Sequence, residues 1–342
     1  MNGAEALIET LQLCGVEVCF ANPGTSEMQL VAALDSHAGI RPVLGLFEGV
    51  VTGAADGYGR MADKPAATLL HLGPGLGNGL ANLHNARRAG SPVINLIGDH
   101  ATYHLHYDAP LTSDAEGVAR PMSDWVRVAR SARDLPQAGA EAYAQAMRYP
   151  GAVASLIVPA DHAWDEGAGT VAAAIPAAPP KAPAAAVADA ADALRATGPT
   201  ALYLGGRALR GNALVAAGRI AAATGARLIC ETFPARMERG AGRVAVEKLP
   251  YFGEQAADYL KDFTAIVFVG AEPPVSFFAY PGKPSWLSPE GARLVRLASL
   301  REDAEDALTA LAAALDAPAE PGLIQPAGIP TAPDGPLNLM SM

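Results

Sequence analysis

The sequence predicts an α/β protein made of two doubly wound parallel-sheet domains, and three observations carry that reading. At 342 residues the chain exceeds one ordinary core and gives room for two domains of roughly 150 residues each. Half of the residues are apolar but only 6% are aromatic, a balance that suits closely packed helices on a sheet better than a β-sandwich. Near-continuous apolar strand patterns alternate with helical ones, as expected of a parallel sheet covered on both faces.

The elements follow in order. A helix is expected over 4–14, a strand at "EVCFAN", a "PGTSE" turn opening a helix at 26–36, and a strand at "RPVLGLF". A helix from Glu48 to Met61 leads to strand "AATLLHL", a glycine turn over 73–78, a helix at 79–89 and strand "PVINLIGD". The pattern ends near residue 166, and 167–185, "GAGTVAAAIPAAPPKAPAA", has the composition of a semi-extended linker. A second α/β domain then occupies 186–316. Its helices are expected at 186–196, 211–224 and 302–315, and its strands at "TALYLGG", "ARLICE", "AIVFVG" and "RLVRLA". Residues 317–342 form a proline-rich tail with little to bury.

Several function classes are disfavoured. The formal net charge is -10 and no run of Lys or Arg follows a nucleic-acid backbone, so nucleic acid is not an expected partner. Cys14, Cys19 and Cys230 are odd in number and lack metal or disulfide spacing, which fits a reducing, cytoplasmic location. "MNGAEALIETLQ" has no basic region ahead of its apolar residues and reads as a first helix, not a secretory leader. No apolar run reaches the roughly 20 residues needed to span a bilayer, so no membrane is expected.

Chemistry-bearing residues gather at the ends of the first-domain strands. Gly73, Gly75, Gly77 and Gly79 follow a strand, but Asn78 breaks the dinucleotide fingerprint, leaving close approach of a ligand or plain packing. Glu48 ends an apolar strand and begins a helix of small residues, where it serves as a dipole-stabilised acid or a half-buried functional carboxylate. His71 stands at the end of its strand, as a proton carrier or a satisfied core residue. His100, His104 and His106 lie close together in "GDHATYHLHYD", at a spacing that matches no common zinc motif.

The runs "FANPGTSEMQL" and "LFEGVVTGAADGYGRMADKPAATLLHLGPGLGNGLANLHNARRAGSPVINLIGD" resemble the pyrimidine-binding domain of thiamine-diphosphate enzymes, in particular acetolactate synthase large subunits and benzoylformate decarboxylase-like proteins. Residues 186–316 look like the middle domain of the same proteins. The resemblance implies that Glu48 hydrogen-bonds the cofactor's aminopyrimidine ring and promotes the tautomer that deprotonates thiazolium C2. It implies that Pro23, Gly24, Thr25, Gly73, Gly75 and Asn78 lie near the cofactor or substrate. His71 matches a histidine that handles substrate protons in the decarboxylase-like members.

The same resemblance implies a 2-oxo acid substrate, decarboxylation followed by carboligation or protonation, and, for a synthase, branched-chain amino acid biosynthesis. In that family Mg2+ and the diphosphate are held by a third domain through Gly-Asp-Gly and a downstream Asn, a pattern this sequence does not contain. The chain therefore looks like the first two-thirds of a larger enzyme, working as a homo-oligomer or with a chain that supplies the diphosphate domain. Exposed apolar surface near Glu48 and self-association are expected consequences. FAD is a second candidate cofactor, because "YLGGRALRGNA" lies where synthases bind a flavin. A non-catalytic dimerisation or regulatory homologue is the reading of a different class.

Overall fold

Asn2 starts the first helix with a reciprocal cap: its side chain accepts the Glu5 N–H at 2.9 Å, and the Glu5 carboxylate accepts the Asn2 N–H at 3.0 Å. The computed structural model containing that helix describes residues 1–328, 331 and 335. Two compact units divide the chain, Met1–Pro180 and Lys181–Met342.

The first unit runs α1 (Gly3–Leu13), β1 (Val18–Asn22), α2 (Met28–Ser36), β2 (Arg41–Leu44), α3 (Glu48–Ala62), β3 (Ala66–Leu70) and α4 (Leu72–Ala89). It continues with β4 (Val93–Asp99), α5 (Ala115–Ala119), β5 (Trp125–Val128), α6 (Leu135–Ala146), β6 (Val153–Pro159) and α7 (Ala160–Trp164). The strands form one six-stranded sheet of order β2-β1-β3-β4-β6-β5, with every pairing parallel. Alternate strand residues feed two cores. Cys19, Leu69, Ile94, Leu96 and Leu156 pack with α1, α2 and α6 on one face, while Val18, Leu70, Val93, Ile97 and Ile157 pack with α3, α4 and α5 on the other.

A polar row crosses the second face inside that apolar setting. Thr68 pairs in register with Asn95, and Asn95 with Ser155. The Thr68 hydroxyl donates to Asn95 Oδ1 at 2.8 Å, Asn95 Nδ2 donates to Ser155 Oγ at 2.9 Å, and Ser155 Oγ meets Ser123 Oγ at 2.8 Å. All four side chains are buried, so each hydrogen bond replaces one that water would otherwise supply.

The expected glycine turn is not a turn. α4 starts at Leu72 and carries Gly73, Gly75, Gly77 and Gly79 within its first turns, so its helix begins seven residues ahead of the expected 79. Tertiary packing overrides the low helix propensity of glycine here. A Cβ on Gly79 would sit 2.8 Å from Thr52 Cγ2 of α3, and one on Gly73 would collide with Ser113, whereas Gly77 faces open space. Strand β3 correspondingly stops at Leu70, with His71 as the helix N-cap and Leu72 at φ +51°. The strand expected to reach Phe47 stops at Leu44.

The second unit runs α8 (Ala184–Arg195), β7 (Thr200–Leu204), α9 (Gly211–Thr224), β8 (Arg227–Cys230), β9 (Glu247–Lys248), α10 (Gly253–Leu260), β10 (Ala265–Val269), β11 (Arg293–Ala298) and α11 (Ala304–Ala314). Its sheet is parallel, in the order β11-β10-β7-β8-β9. Leu202, Leu204, Val267 and Val269 pack with α8, α9 and α11, and Tyr203, Ile266 and Phe268 pack on the α10 side. The two-residue strand β9 and helix α10 were not legible as periodic patterns. The start of the proline-rich tail is also more ordered than its composition implies: Ala245 N–H donates to Leu323 O at 2.8 Å and Gln325 N–H to Arg243 O at 2.9 Å. The rest of the expected tail, 329–330, 332–334 and 336–342, lies outside the described residues.

Candidate active site

In the order β2-β1-β3 the chain leaves β1 on one side and returns on the other, so the strand order reverses between β1 and β3. Ligands of open α/β sheets bind in the crevice outside the carboxyl ends of strands at such a point. The loop after β1 supplies Pro23–Glu27 there, β3 delivers His71, and β2 leads to Glu48.

Glu48 is the first residue of α3 and only 7% exposed. Free N–H groups at a helix start favour a carboxylate. Its Oε2 accepts the Asn78 Nδ2–H at 2.9 Å, while Oε1 has no hydrogen-bond partner among the described residues. The Thr52 hydroxyl donates to the Gly79 carbonyl at 3.0 Å and Asn82 Nδ2 to the Gly49 carbonyl at 2.7 Å, tying α3 to α4 beneath this pair.

Gly75 brings the acid and the histidine together. A Cβ at that position would lie 2.8 Å from Glu48 Oε1 and 3.2 Å from His71 Cβ, so only glycine leaves both side chains where they are. His71 Nδ1 is 2.8 Å from Glu27 Oε2, which also accepts the Gly24 N–H at 2.7 Å. Gly24 lies against the imidazole, since its Cβ would fall 2.3 Å from ring atoms.

Glu27 is the residue that sequence reasoning missed. It ends the short 3-10 turn Thr25–Glu27, is fully buried, and its Oε1 has no partner among the described residues. Gly98, at the end of β4, makes room for it: a Cβ there would stand 1.7 Å from Glu27 Oε1. The "GTSE" spacing signalled only a helix-opening acid, and its partner 44 residues later is set by strand order alone.

The other expected site residues divide. Pro23 and Thr25 are on the β1 loop, with Thr25 exposed, and Gly73 packs against Ser113 away from Glu48. His100 and His104 meet edge-on at 5.5 Å, His106 lies against Tyr107 at 3.8 Å, and His100 Nε2 is buried without a partner among the described residues. No group of three or more His, Cys, Asp or Glu side chains is placed to hold a metal ion among the described residues. Asp99, just before His100, has its carboxyl pushed up by burial, against the lowering effect of the His100 N–H and charge. In the second unit, within "YLGGRALRGNA", Gly205 serves packing, since its Cβ would lie 2.4 Å from Gly270 O, whereas Gly211, at φ +52°, faces open space.

Exposed apolar residues flank Glu48 in sequence. Leu44, Phe47 and Val50 are each about half or more exposed and Leu46 is 90% exposed, next to β2 at the sheet edge. No helix among the described residues is long and apolar enough to cross a membrane.

Comparison with known proteins places this geometry. Residues 1–120 match the family described as thiamine pyrophosphate enzyme, N-terminal TPP binding domain. Residues 1–120 therefore form a domain of the thiamine-diphosphate enzyme family. A Mycobacterium tuberculosis protein named as an acetolactate synthase large subunit, IlvX, is 54% identical over the whole of this chain, which spans 65% of that relative's length. Benzoylformate decarboxylase from Pseudomonas aeruginosa is 33% identical over 46% of the chain and 29% of its own length. Among solved structures, a thiamin diphosphate-dependent enzyme from Mycobacterium smegmatis superimposes with a TM-score of 0.83 at 26% identity, over 97% of this chain and 66% of that one.

Proposed function

We propose that this chain supplies the cofactor-activating part of a thiamine-diphosphate-dependent enzyme that decarboxylates a 2-oxo acid. The buried Glu48 carboxyl at the start of α3 carries the reading, because Asn78 holds one oxygen and leaves Oε1 beside the bare Cα of Gly75. A flat ring carrying a basic nitrogen fits against that oxygen, and the family of residues 1–120 favours the aminopyrimidine of thiamine diphosphate as that ring. When bound, the cofactor supplies the carbon nucleophile and electron sink that cleavage beside a keto group requires. Glu48 shares a proton with the ring nitrogen away from bulk water, and Asn78 fixes the carboxyl for that task.

Residues of this chain fit the pyrimidine end only. We assign the diphosphate and Mg2+ to polypeptide outside these 342 residues, docked over the exposed Leu46 and Phe47 beside Glu48. Acetolactate synthase-type carboligation and simple decarboxylation share the first step, and His71 favours the second, since a positioned imidazole delivers the proton that ends the reaction as an aldehyde. A flavin has no comparable support: Gly205, in the run where one is expected, is occupied by close packing on the Gly270 backbone.

Calorimetric titration with thiamine diphosphate and magnesium, with and without the diphosphate domain of a related enzyme, is the test. The expected outcome is binding only with the added domain, together with turnover of a 2-oxo acid that Glu48→Gln lowers by about 10²- to 10⁴-fold. Aldehyde as product supports the decarboxylase reading and a longer acetohydroxy acid the synthase. Binding without any turnover by the completed wild-type enzyme would leave a non-catalytic homologue as the answer, and unchanged turnover in Glu48→Gln would reject the role given to Glu48.

A further inference from the structure

We propose that Glu27 is a positioning residue that holds His71 in the tautomer protonated on Nδ1, so that Nε2 is the atom exchanging protons with substrate. The assignment of a substrate to His71 rests on the function proposed above; the tautomer does not.

The argument begins with burial. Glu27 is completely enclosed, and a carboxylate there can only accept hydrogen bonds; its Oε1 has no partner among the described residues, so every donor it meets reaches Oε2. Two donors reach Oε2: the Gly24 N–H at 2.7 Å and His71 Nδ1 at 2.8 Å. The second contact requires the proton to be on Nδ1. In the neutral ring Nε2 then carries a lone pair, and it has no hydrogen-bond partner among the described residues. The His71 side chain keeps 25% of its surface exposed, whereas Glu27 keeps none. The ring thus has one end fixed in the protein and one end available.

Three glycines show that this placement is built into the backbone. Gly98 gives Glu27 its space, Gly24 lets the β1 loop lie on the imidazole, and Gly75 lets α4 pass beside both His71 and Glu48. A Cβ at any of these positions would come within 3.2 Å of His71, Glu27 or Glu48. The proton balance is simple. Nε2 takes a proton from solvent to give an imidazolium, whose charge is met by Glu27 across Nδ1–H, and then gives that proton to the substrate, returning to the neutral ring.

The experiment is a long-range proton–nitrogen correlation spectrum of the full chain labelled with 15N-histidine. His71 is identified among the seven histidines by its disappearance in His71→Gln. The wild-type chain, at a pH where the ring is neutral, is expected to show protonated Nδ1 and unprotonated Nε2. Glu27→Gln keeps the shape but offers a donor as well as an acceptor, and is expected to give mixed tautomers, while Glu27→Asp restores the wild-type preference in part. A wild-type His71 protonated on Nε2 would overturn the proposal without any variant, as would an unchanged spectrum in a folded Glu27→Gln chain. In the enzyme completed with a diphosphate domain, Glu27→Gln is expected to lower kcat by at least about tenfold with KM unchanged. Absence of all thiamine chemistry in the completed wild-type enzyme would reject the proposed function and leave the tautomer result standing.

Discussion

Asn78 reaches Glu48 Oε2 at 2.9 Å from the second turn of α4, so the helix that begins after His71 also steadies the acid that begins α3. Removing that donor leaves a buried carboxylate with fewer partners. Asn78→Ala is expected to lower stability by about 1–2 kcal/mol, read as a shift in the urea midpoint at unchanged slope. Asn78→Asp, which sets a second carboxylate within hydrogen-bonding distance, is expected to cost more at neutral pH than Asn78→Ala does.

Gly75 and Gly77, two residues apart and on opposite sides of α4, should respond in opposite directions. Gly77→Ala meets open space on a helix and is expected to stabilise by about 0.5–1 kcal/mol, because alanine loses less backbone freedom on folding. Gly75→Ala pushes on Glu48 and His71 and is expected to destabilise by about 1–3 kcal/mol. Thermal unfolding of the two variants under one condition compares the signs directly.

Burial raises the Asp161 carboxyl, but the Thr102 hydroxyl and backbone N–H both donate to it and bring it below the usual carboxylate range. A carboxyl lowered in the folded state adds stability above its unfolded value of about 3.9, and that stability is lost as pH falls through the lower folded value. Thr102→Val removes the hydroxyl. Its deficit against wild type in chemical denaturation is expected at pH 7 and to shrink below about pH 4.

All three cysteines are buried and carry raised thiols; burial pushes Cys19 up to about 12 and Cys230 to about 11. Ellman's reagent at pH 8 is therefore expected to leave the folded chain unlabelled over minutes and to label all three thiols in denaturant.

Asn95 joins Thr68 to Ser155 inside an otherwise apolar face. Asn95→Leu orphans the Thr68 hydroxyl and leaves Ser155 Oγ with Ser123 alone, and is expected to cost about 1–3 kcal/mol, more than Asn95→Leu costs when Thr68→Val and Ser155→Ala are already present. Denaturant titration of the set measures the coupling.

The βα rhythm was legible because buried parallel strands such as β4 and β6 are apolar almost throughout, with Asn95 and Ser155 the central exceptions, a signal that survives in one sequence. Glu48 was legible for a related reason, as an acid standing where an apolar run gives way to small helical residues. The start of α4 was not, because a run of glycines argues locally against helix and only the neighbouring α3 explains it. Glu27 was hidden more deeply. Nothing within its own loop announces His71, and the two meet because β1 and β3 are neighbours in the sheet.

The polar row across β3, β4 and β6 has a consequence for how the sheet finds its alignment. Because β4 is apolar on both faces, a one-residue slip exchanges one set of apolar side chains for another, and only Asn95, turned onto the opposite apolar face without partners, opposes it. A slip by two residues restores every side chain to its proper face, so alternation alone cannot reject it. Asn95 can: displaced by two positions it faces Ala66 or Leu70 on β3 and Val153 or Ile157 on β6 in place of Thr68 and Ser155, with its amide buried and unmet. Two hydrogen bonds, Thr68 to Asn95 and Asn95 to Ser155, thereby select one alignment, and they do so for the strand that carries Gly98 and the strand that leads to His71.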